Sequence, residues 1–195
     1  MNKNIFIIGG CSCSGKTTVS RKICEDNGFI YWRSDMIIKE IESCAHNKSL
    51  DTIKQLYEKV IASNDDSFSK AIMMTDMYKE MAKYVFEYLN SFNNNTVIAE
   101  GVSFFPDIAA NYKIPESNYI ALSINKKKRL EIFRNRNYVK KHFSEDHMSF
   151  FSTVCHIDHL YREQCKLYGY EYYENHSVDS TYNYVLKKIM KNYSD

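Results

Sequence analysis

Residues 4–18 read NIFIIGGCSCSGKTT, and the abrupt passage from apolar to glycine-rich sequence narrows the folds open to the chain. The run IFII has no polar alternation, so residues 4–8 read as a strand covered on both faces, the environment of a parallel sheet. A helix is expected over residues 16–26, ended by Gly28. Between strand and helix, Gly10 to Thr17 fits G-x-x-x-x-G-K-[ST], in which main-chain N–H groups turn inward around phosphate oxygens. Inward amides require small side chains. Gly10, Ser12, Ser14 and Gly15 satisfy that requirement, and Cys11 and Cys13 are small enough to join them. Lys16 would then reach the β and γ phosphates, the Thr17 hydroxyl would take a place on Mg2+, and Thr18 follows in the first helical turn. The positive end of the helix dipole points at the same anion.

The same stretch admits a second reading through its cysteines. Cys11 and Cys13 suggest a metal or redox pair, but the chain's six cysteines contain no C-x-x-C spacing, and no further ligands follow the pair. His156 and His159, with Glu163, form a minor metal alternative on one helix face. The loop cysteines are therefore expected to be small tolerated residues. A thiol near a helix N-terminus would have a lowered pKa and be open to oxidation, which is a side expectation.

Periodicity organises the rest. Residues 29–32 (FIYW) form a second expected strand, closing on Arg33-Ser34-Asp35. Ile53, Leu56, Tyr57, Val60 and Ile61 fall on one helix face, NDDS at 64–67 offers an N-cap, and a second stripe carries Met74, Met77, Met81, Val85, Tyr88 and Leu89. A turn at residues 93–95 precedes a third strand, TVIA, which ends at Glu100-Gly101; YIALSI at 119–124 is the fourth. A helix with Leu130 and Phe133 runs into a polar stretch in which Lys140 and Lys141 read as solvated. Phe150, Val154, Ile157, Tyr161 and Tyr168 mark the next helix. Residues 170–173 form a fifth strand, and Asp179 or Ser180 caps a last helix bearing Val185 and Ile189. Strands alternating with helices imply a parallel sheet covered on both faces, with ligands at the carboxyl ends of the strands. The glycine loop, Ser34-Asp35 and Glu100-Gly101 all fall at such ends.

Composition removes several function classes. With 195 residues, two prolines and six glycines, the chain suits one domain over 1–195 without a long linker. A net charge of +2, with one dense basic run at 126–129, does not suit a nucleic-acid partner. IFII is too short for a signal-peptide core or a membrane span, so a cytosolic, membrane-free protein is expected. A guanine-reading N-K-x-D is broken, because NKKK at 125–128 puts Lys128 where the carboxylate belongs; this tilts the nucleotide toward ATP. Large mechanical ATPases normally carry an aspartate-glutamate pair at the third strand end and a much longer chain.

Taken in order, these segments resemble the small phosphotransferases of the P-loop kinase superfamily: adenylate, shikimate and uridine kinases and chloramphenicol phosphotransferase. GGCSCSGKTT is similar to their first loop, YWRSDMI to their second strand and substrate-side aspartate, and TVIAEG to the third-strand ending of uridine-kinase-like members. RLEIFRNR resembles the start of their arginine-bearing lid, and NHSVDST the loop before the last helix, near the adenine. The likeness spans nearly the whole chain. It implies an α/β P-loop NTPase fold with a five-stranded parallel sheet in the order 2-3-1-4-5. It also implies a helical acceptor-binding insertion over residues 36–92 and a lid over 134–148.

The implied activity is ATP- and Mg2+-dependent phosphoryl transfer to a small-molecule acceptor, with a hydroxyl as the expected group. Such transfer runs on positioning and electrostatic stabilisation. Lys16, Mg2+ and the lid candidates Arg134 and Arg136 would supply positive charge. Two residues apart on a helix, those arginines point differently, so one is expected inward; the plain alternative is that both are solvated. Asp35 would bind the acceptor or take its proton, or simply cap the helix after it. Arg33 would help hold an anionic acceptor. Glu100, with Gly101 beside it, would orient Mg2+-bound water or bind the acceptor. Asp179, Ser180 and Thr181 would line the base pocket unless capping explains them, and Arg162 is a further phosphate candidate. Two other functions would use the same loop: a regulatory ATPase module without an acceptor, and a polynucleotide 5′-hydroxyl kinase, which the weak basicity disfavours.

Overall fold

The IFII run becomes the central strand of a sheet. The computed structural model describes residues 4–36, 48–90, 92, 95–136, 139 and 144–191. Strands β1 (Ile5–Gly9), β2 (Ile30–Arg33), β3 (Val97–Glu100), β4 (Tyr119–Ser123) and β5 (Glu171–Glu174) pair in the order β2-β3-β1-β4-β5. Every pairing is parallel, with Ile8 opposite Glu100, Arg33 opposite Glu100 and Gly9 opposite Ala121. All five carboxyl ends therefore reach one edge of the sheet, which is where parallel α/β sheets bind ligands.

The alternation of side chains divides the core in two. Ile5, Ile7, Trp32, Val97, Ala99, Tyr119 and Ala121 face one side, and Phe6, Ile8, Ile98, Ile120 and Leu122 the other. Helices α1 (Lys16–Asn27) and α7 (Val178–Lys191) cover the second face through Val19, Ile23, Cys24, Val185 and Ile189. The first face carries α3 (Ser67–Asn90), the short α4 (Pro106–Asn111) and α6 (Glu145–Tyr168). Helices α2 (Lys48–Ala62) and α5 (Lys126–Arg134) complete the chain. Each fully covered Ile or Phe in these layers contributes about 1.5–3 kcal/mol.

Several helical stripes differ from the sequence reading. In α2, Ile53 is buried and Leu56 packs against the core, but Tyr57 is exposed. The side chain of Ile61 lies outside the described residues, as do Asn93, Asn94, Lys140, Lys141 and, within the 36–92 and 134–148 segments, residues 37–47, 91, 137, 138 and 140–143. In α6 the buried face runs through Phe151, Val154, Ile157, Tyr161 and Cys165, while Phe150 and Tyr168 are exposed. The expected stripe begins one residue out of phase, at Phe150, and runs one turn too far, to Tyr168. Asp66 caps α3, accepting from the Phe68 and Ser69 amides at 2.8 and 3.1 Å. The last helix is capped by Ser177 rather than Asp179 or Ser180: its Oγ accepts from the Ser180 amide at 3.1 Å. Helix α4 escapes periodicity because it is too short to repeat a pattern, and Pro106 at its first turn is its one signal.

Gly10 joins β1 to the loop with φ 125°, and a Cβ there would lie 2.1 Å from the Leu122 carbonyl oxygen of β4. Gly28, which ends α1 at φ 68°, has open space around the same position. Gly10→Ala should therefore cost about 3 kcal/mol or more in urea unfolding, because strain and a backbone clash add. Gly28→Ala should cost about 1 kcal/mol, from the left-handed conformation alone. Equal losses would remove the backbone approach to β4 as the constraint.

Candidate functional site

Where the five strands end, polar side chains gather. Helix α1 begins at Lys16 with Gly15 before it; glycine offers no side-chain cap, so the helix end keeps its dipole for an outside anion. Cys13 takes the left-handed region at φ 64°, an arrangement that costs a non-glycine residue about 1–2 kcal/mol. Strain of this kind belongs to loops held for a purpose by their surroundings.

Lys16 is 7% exposed. Its ammonium donates to the Cys11 carbonyl at 2.7 Å and to Ser14 Oγ at 3.4 Å, both neutral oxygens. Burial pulls its pKa below the ordinary lysine range, and the charge of Glu100 offsets only part of that. A desolvated cation with neutral partners is an electrostatic demand for an anion, and a phosphate would meet it.

Thr17 turns its hydroxyl to Glu100, donating to Oε1 at 2.8 Å. Glu100 is 3% exposed, and the same oxygen accepts from the Tyr31 hydroxyl at 2.8 Å, with Arg33 Nε at 3.6 Å. Burial, then the charge of Glu100, pushes the Tyr31 phenol well above its usual range, so it remains a donor. The donor set of one hydroxyl and one carboxylate suits Mg2+, which keeps most of its shell in water and phosphate oxygens. It does not suit a metal caged by protein alone, and among the described residues no group of three or more His, Cys, Asp or Glu could hold one.

Across the cleft, Arg33 grips Asp35 bidentately with one guanidinium edge: Nε donates to Oδ1 at 2.9 Å, and a terminal nitrogen pairs with Oδ2. Burial lowers the Arg33 pKa, but Asp35 and Glu100 outweigh it and the net direction is up. The guanidinium expected to hold an anionic acceptor is thus engaged by two carboxylates. A Cβ on Gly101 would lie 1.7 Å from Ser34 Oγ, so the ends of β2 and β3 touch directly below this pair.

One cleft of about 380 Å³ connects these groups, lined by loop residues from Ser12 to Thr18, by Arg33, Ser34 and Asp35, and by Glu100 and Gly101. That volume suits a small-ligand site. Of the two candidate arginines, Arg136 lines the cleft, near enough for its charge to act on Lys16 and Cys13, and Arg134 is exposed outside it. Gly10 and Cys11 are buried outside the cleft lining. Asp179 stands at the surface in an ion pair with Lys22 at 2.7 Å, away from the lining. Arg162 lies over the Tyr172 ring at 5.3 Å. His156 packs edge-on to Phe68, while His159 and Glu163 are exposed.

Two lining or supporting residues escaped the sequence reading. Asn175, 5% exposed just past β5, donates to the Ser14 carbonyl at 3.0 Å and accepts from the Thr181 hydroxyl at 2.9 Å. Its signal was its place, an asparagine at the carboxyl end of a strand, inside a loop read instead for Asp179. Tyr31 belongs to the expected second strand, where alternation sets it opposite Trp32 and on the Glu100 side.

The loop thiols also differ from expectation. Burial raises the pKa of Cys13 more than Arg136 and Lys16 lower it, and Cys11 is pushed up by burial and then by Asp158. Desolvation outweighs the helix end, so both stay protonated at neutral pH. In the native protein at pH 7.5, about the middle of the neutral range, iodoacetamide should leave Cys11 and Cys13 unmodified over the time that it labels half-buried Cys155. Peptide mapping reads the result, and rapid labelling of either loop thiol would refute the burial argument.

No family model and no curated protein matches the chain. Solved structures do. Shikimate kinase from Acinetobacter baumannii in complex with shikimate superposes with a TM-score of 0.56 and 15% identity, covering 97% of this chain and 94% of that one. Shikimate kinase from Bacteroides thetaiotaomicron gives 0.51 and 11%, with 98% and 99% covered. An uncharacterized protein from Eubacterium ventriosum gives 0.50 and 14%, with 97% and 99% covered. Among the described residues no helix is long and apolar enough to cross a membrane. The likeness lies in the fold: a parallel sheet in the order 2-3-1-4-5 with helices on both faces, the P-loop architecture that shikimate kinases also have.

Proposed function

We propose that the chain is an ATP- and Mg2+-dependent kinase that moves the γ-phosphoryl group to a hydroxyl of a small molecule. The observation that carries this reading is a single cleft lined both by Lys16 and Thr17 and by the Arg33–Asp35 pair. A switch that holds and slowly hydrolyses nucleotide has no use for a second carboxylate held across the cleft by a guanidinium. A phosphotransferase needs one to receive its acceptor.

In this reading the acceptor oxygen bonds to the γ-phosphorus while the bond from that phosphorus to the β–γ bridging oxygen breaks, and ADP leaves with the electron pair. Asp35 takes the hydroxyl proton and later returns it to solvent. Arg33 keeps the Asp35 carboxylate aimed. Lys16 and Arg136 balance the charge on the moving phosphoryl oxygens. Thr17 and Glu100 would hold Mg2+, which when bound supplies neutralising charge at the β and γ phosphates. The base would lie toward Ile124, Ile132 and Val178, three apolar residues of the cleft lining. Residues 36–92 serve as the acceptor lobe and 134–148 as the lid of a single catalytic domain, working in the cytosol.

A panel of nucleosides, sugars and hydroxy acids incubated with γ-labelled ATP tests the activity. Asp35→Asn should keep ATP affinity within about threefold and reduce transfer by about 10²- to 10⁴-fold, the range of a lost general base. Transfer undiminished by the substitution removes Asp35 from the chemistry. ATP binding without transfer to any member of the panel moves the reading to a regulatory module.

A further inference from the structure

Behind the loop lies a charged cluster with no part in the chemistry above. Asp158 of α6 and Arg129 of α5 are 8% and 2% exposed and pair at 2.8 Å. The same guanidinium nitrogen donates to Ser123 Oγ at 3.2 Å and to the Ile124 carbonyl at 3.0 Å, both at the end of β4. Asp158 Oδ1 accepts from Ser123 Oγ at 3.0 Å and from the Cys11 thiol at 3.3 Å. Cys11 is fully buried, and its carbonyl is the oxygen that holds the Lys16 ammonium at 2.7 Å. One residue therefore links the buried carboxylate to the loop's cation.

Stability is a poor reason for such a cluster. Asp158 occupies the apolar stripe of α6, between Val154 and Ile157 on one side and Tyr161 on the other, where hydrocarbon would pack without the cost of desolvating two charges. Nor does the carboxylate attract a phosphate, since its charge has the wrong sign and is cancelled by Arg129. What the pair provides is a fixed acceptor beneath one peptide of the loop. Burial and the neighbouring carboxylate keep the Cys11 thiol protonated, so it stays a donor throughout the working pH range.

We propose that Asp158, clamped by Arg129, is a positioning residue for the phosphate-binding loop: through the Cys11 thiol it fixes the peptide whose carbonyl holds Lys16, and so sets where the ammonium meets a polyphosphate. The proposal rests on the reading that this loop binds a nucleoside triphosphate. Cys11 is then a hydrogen-bonding member of the loop rather than a small residue that happens to fit, and serine is the replacement that would serve in its place. Arg129 and Asp158 stand on the helices either side of residues 135–144, so the contact that Asp158 makes with the loop is anchored to both helices.

Calorimetric titration of Mg-ATP into the full chain tests it, with thermal unfolding of the nucleotide-free protein alongside. Cys11→Ala should bind roughly tenfold more weakly, the scale of one hydrogen bond to a charged group. Its melting temperature should fall by only about two to four degrees, the shift of about 1 kcal/mol in a chain of this size, and the protein should stay folded. Cys11→Ser should restore binding to within about threefold, since its hydroxyl can donate to the same carboxylate. Asp158→Asn, which keeps the shape but places an amide against Arg129, should weaken binding at least as much as Cys11→Ala. Unchanged affinity in Cys11→Ala, or a folded Cys11→Ser that binds no better than alanine, overturns the proposal. If Asp158→Asn does not fold, the two Cys11 variants still decide. A parent chain that binds no Mg-ATP removes the nucleotide reading and this inference together, an outcome distinct from failure of the variants alone.

Discussion

An ammonium group held nearly out of water, between the end of a strand and the start of a helix, sets the terms for the rest of this molecule. Left with two neutral oxygens, Lys16 is poorly compensated in a medium less polar than water. The polypeptide maintains that condition through its covalent order. The central strand of a parallel sheet aims the loop outward, a glycine with no capping side chain leaves the helix end open, and Asn175 ties the Ser14 carbonyl to the far side of the sheet. Glu100 lies close enough to moderate the charge without quenching it. The site is built to be completed by something anionic.

The parts of this arrangement legible in the sequence are those encoded by neighbours along the chain. The IFII run, the glycine pattern and the helix from Lys16 lie within one short stretch, and the structure reproduces them within a residue. Glu100 and Asp35 were readable because each ends an apolar run, and the carboxyl ends of parallel strands converge whatever the loops between them do. The strand order came from the motifs' likeness to known kinases, which local periodicity alone does not supply.

What escaped reading depends on contacts between distant segments. Arg129 ends the dense basic run at 126–129, yet the fold buries it; Asp158 is a charge set on an apolar stripe. Each explains the other, but they lie 29 positions apart, and nothing local states that they meet. The thiols misled for a related reason. Proximity to a helix end lowers a pKa, whereas the layers packed above and behind the loop raise it more, and those layers come from the other end of the chain. Arg134 closes α5 and Arg136 lies just past its end, so the two part because the helix stops between them rather than through helical spacing, and only Arg136 lines the cleft.

The contact between Gly101 and Ser34 has a consequence for the edge of the sheet. Strand β2 is four residues long and pairs on one side only, the situation in which a strand can slip against its neighbour. A shift by one position would bring Trp32 toward Glu100 and turn Tyr31 and Arg33 toward the face covered by α3, α4 and α6, exchanging every side chain across the ribbon. The missing Cβ at Gly101 lets Ser34 lodge where no bulkier pairing fits, and the Ser34 amide bonds the Glu100 carbonyl at 2.9 Å. The pair thus works as a detent, so the two carboxylates keep their alignment on an otherwise unsecured margin of the molecule.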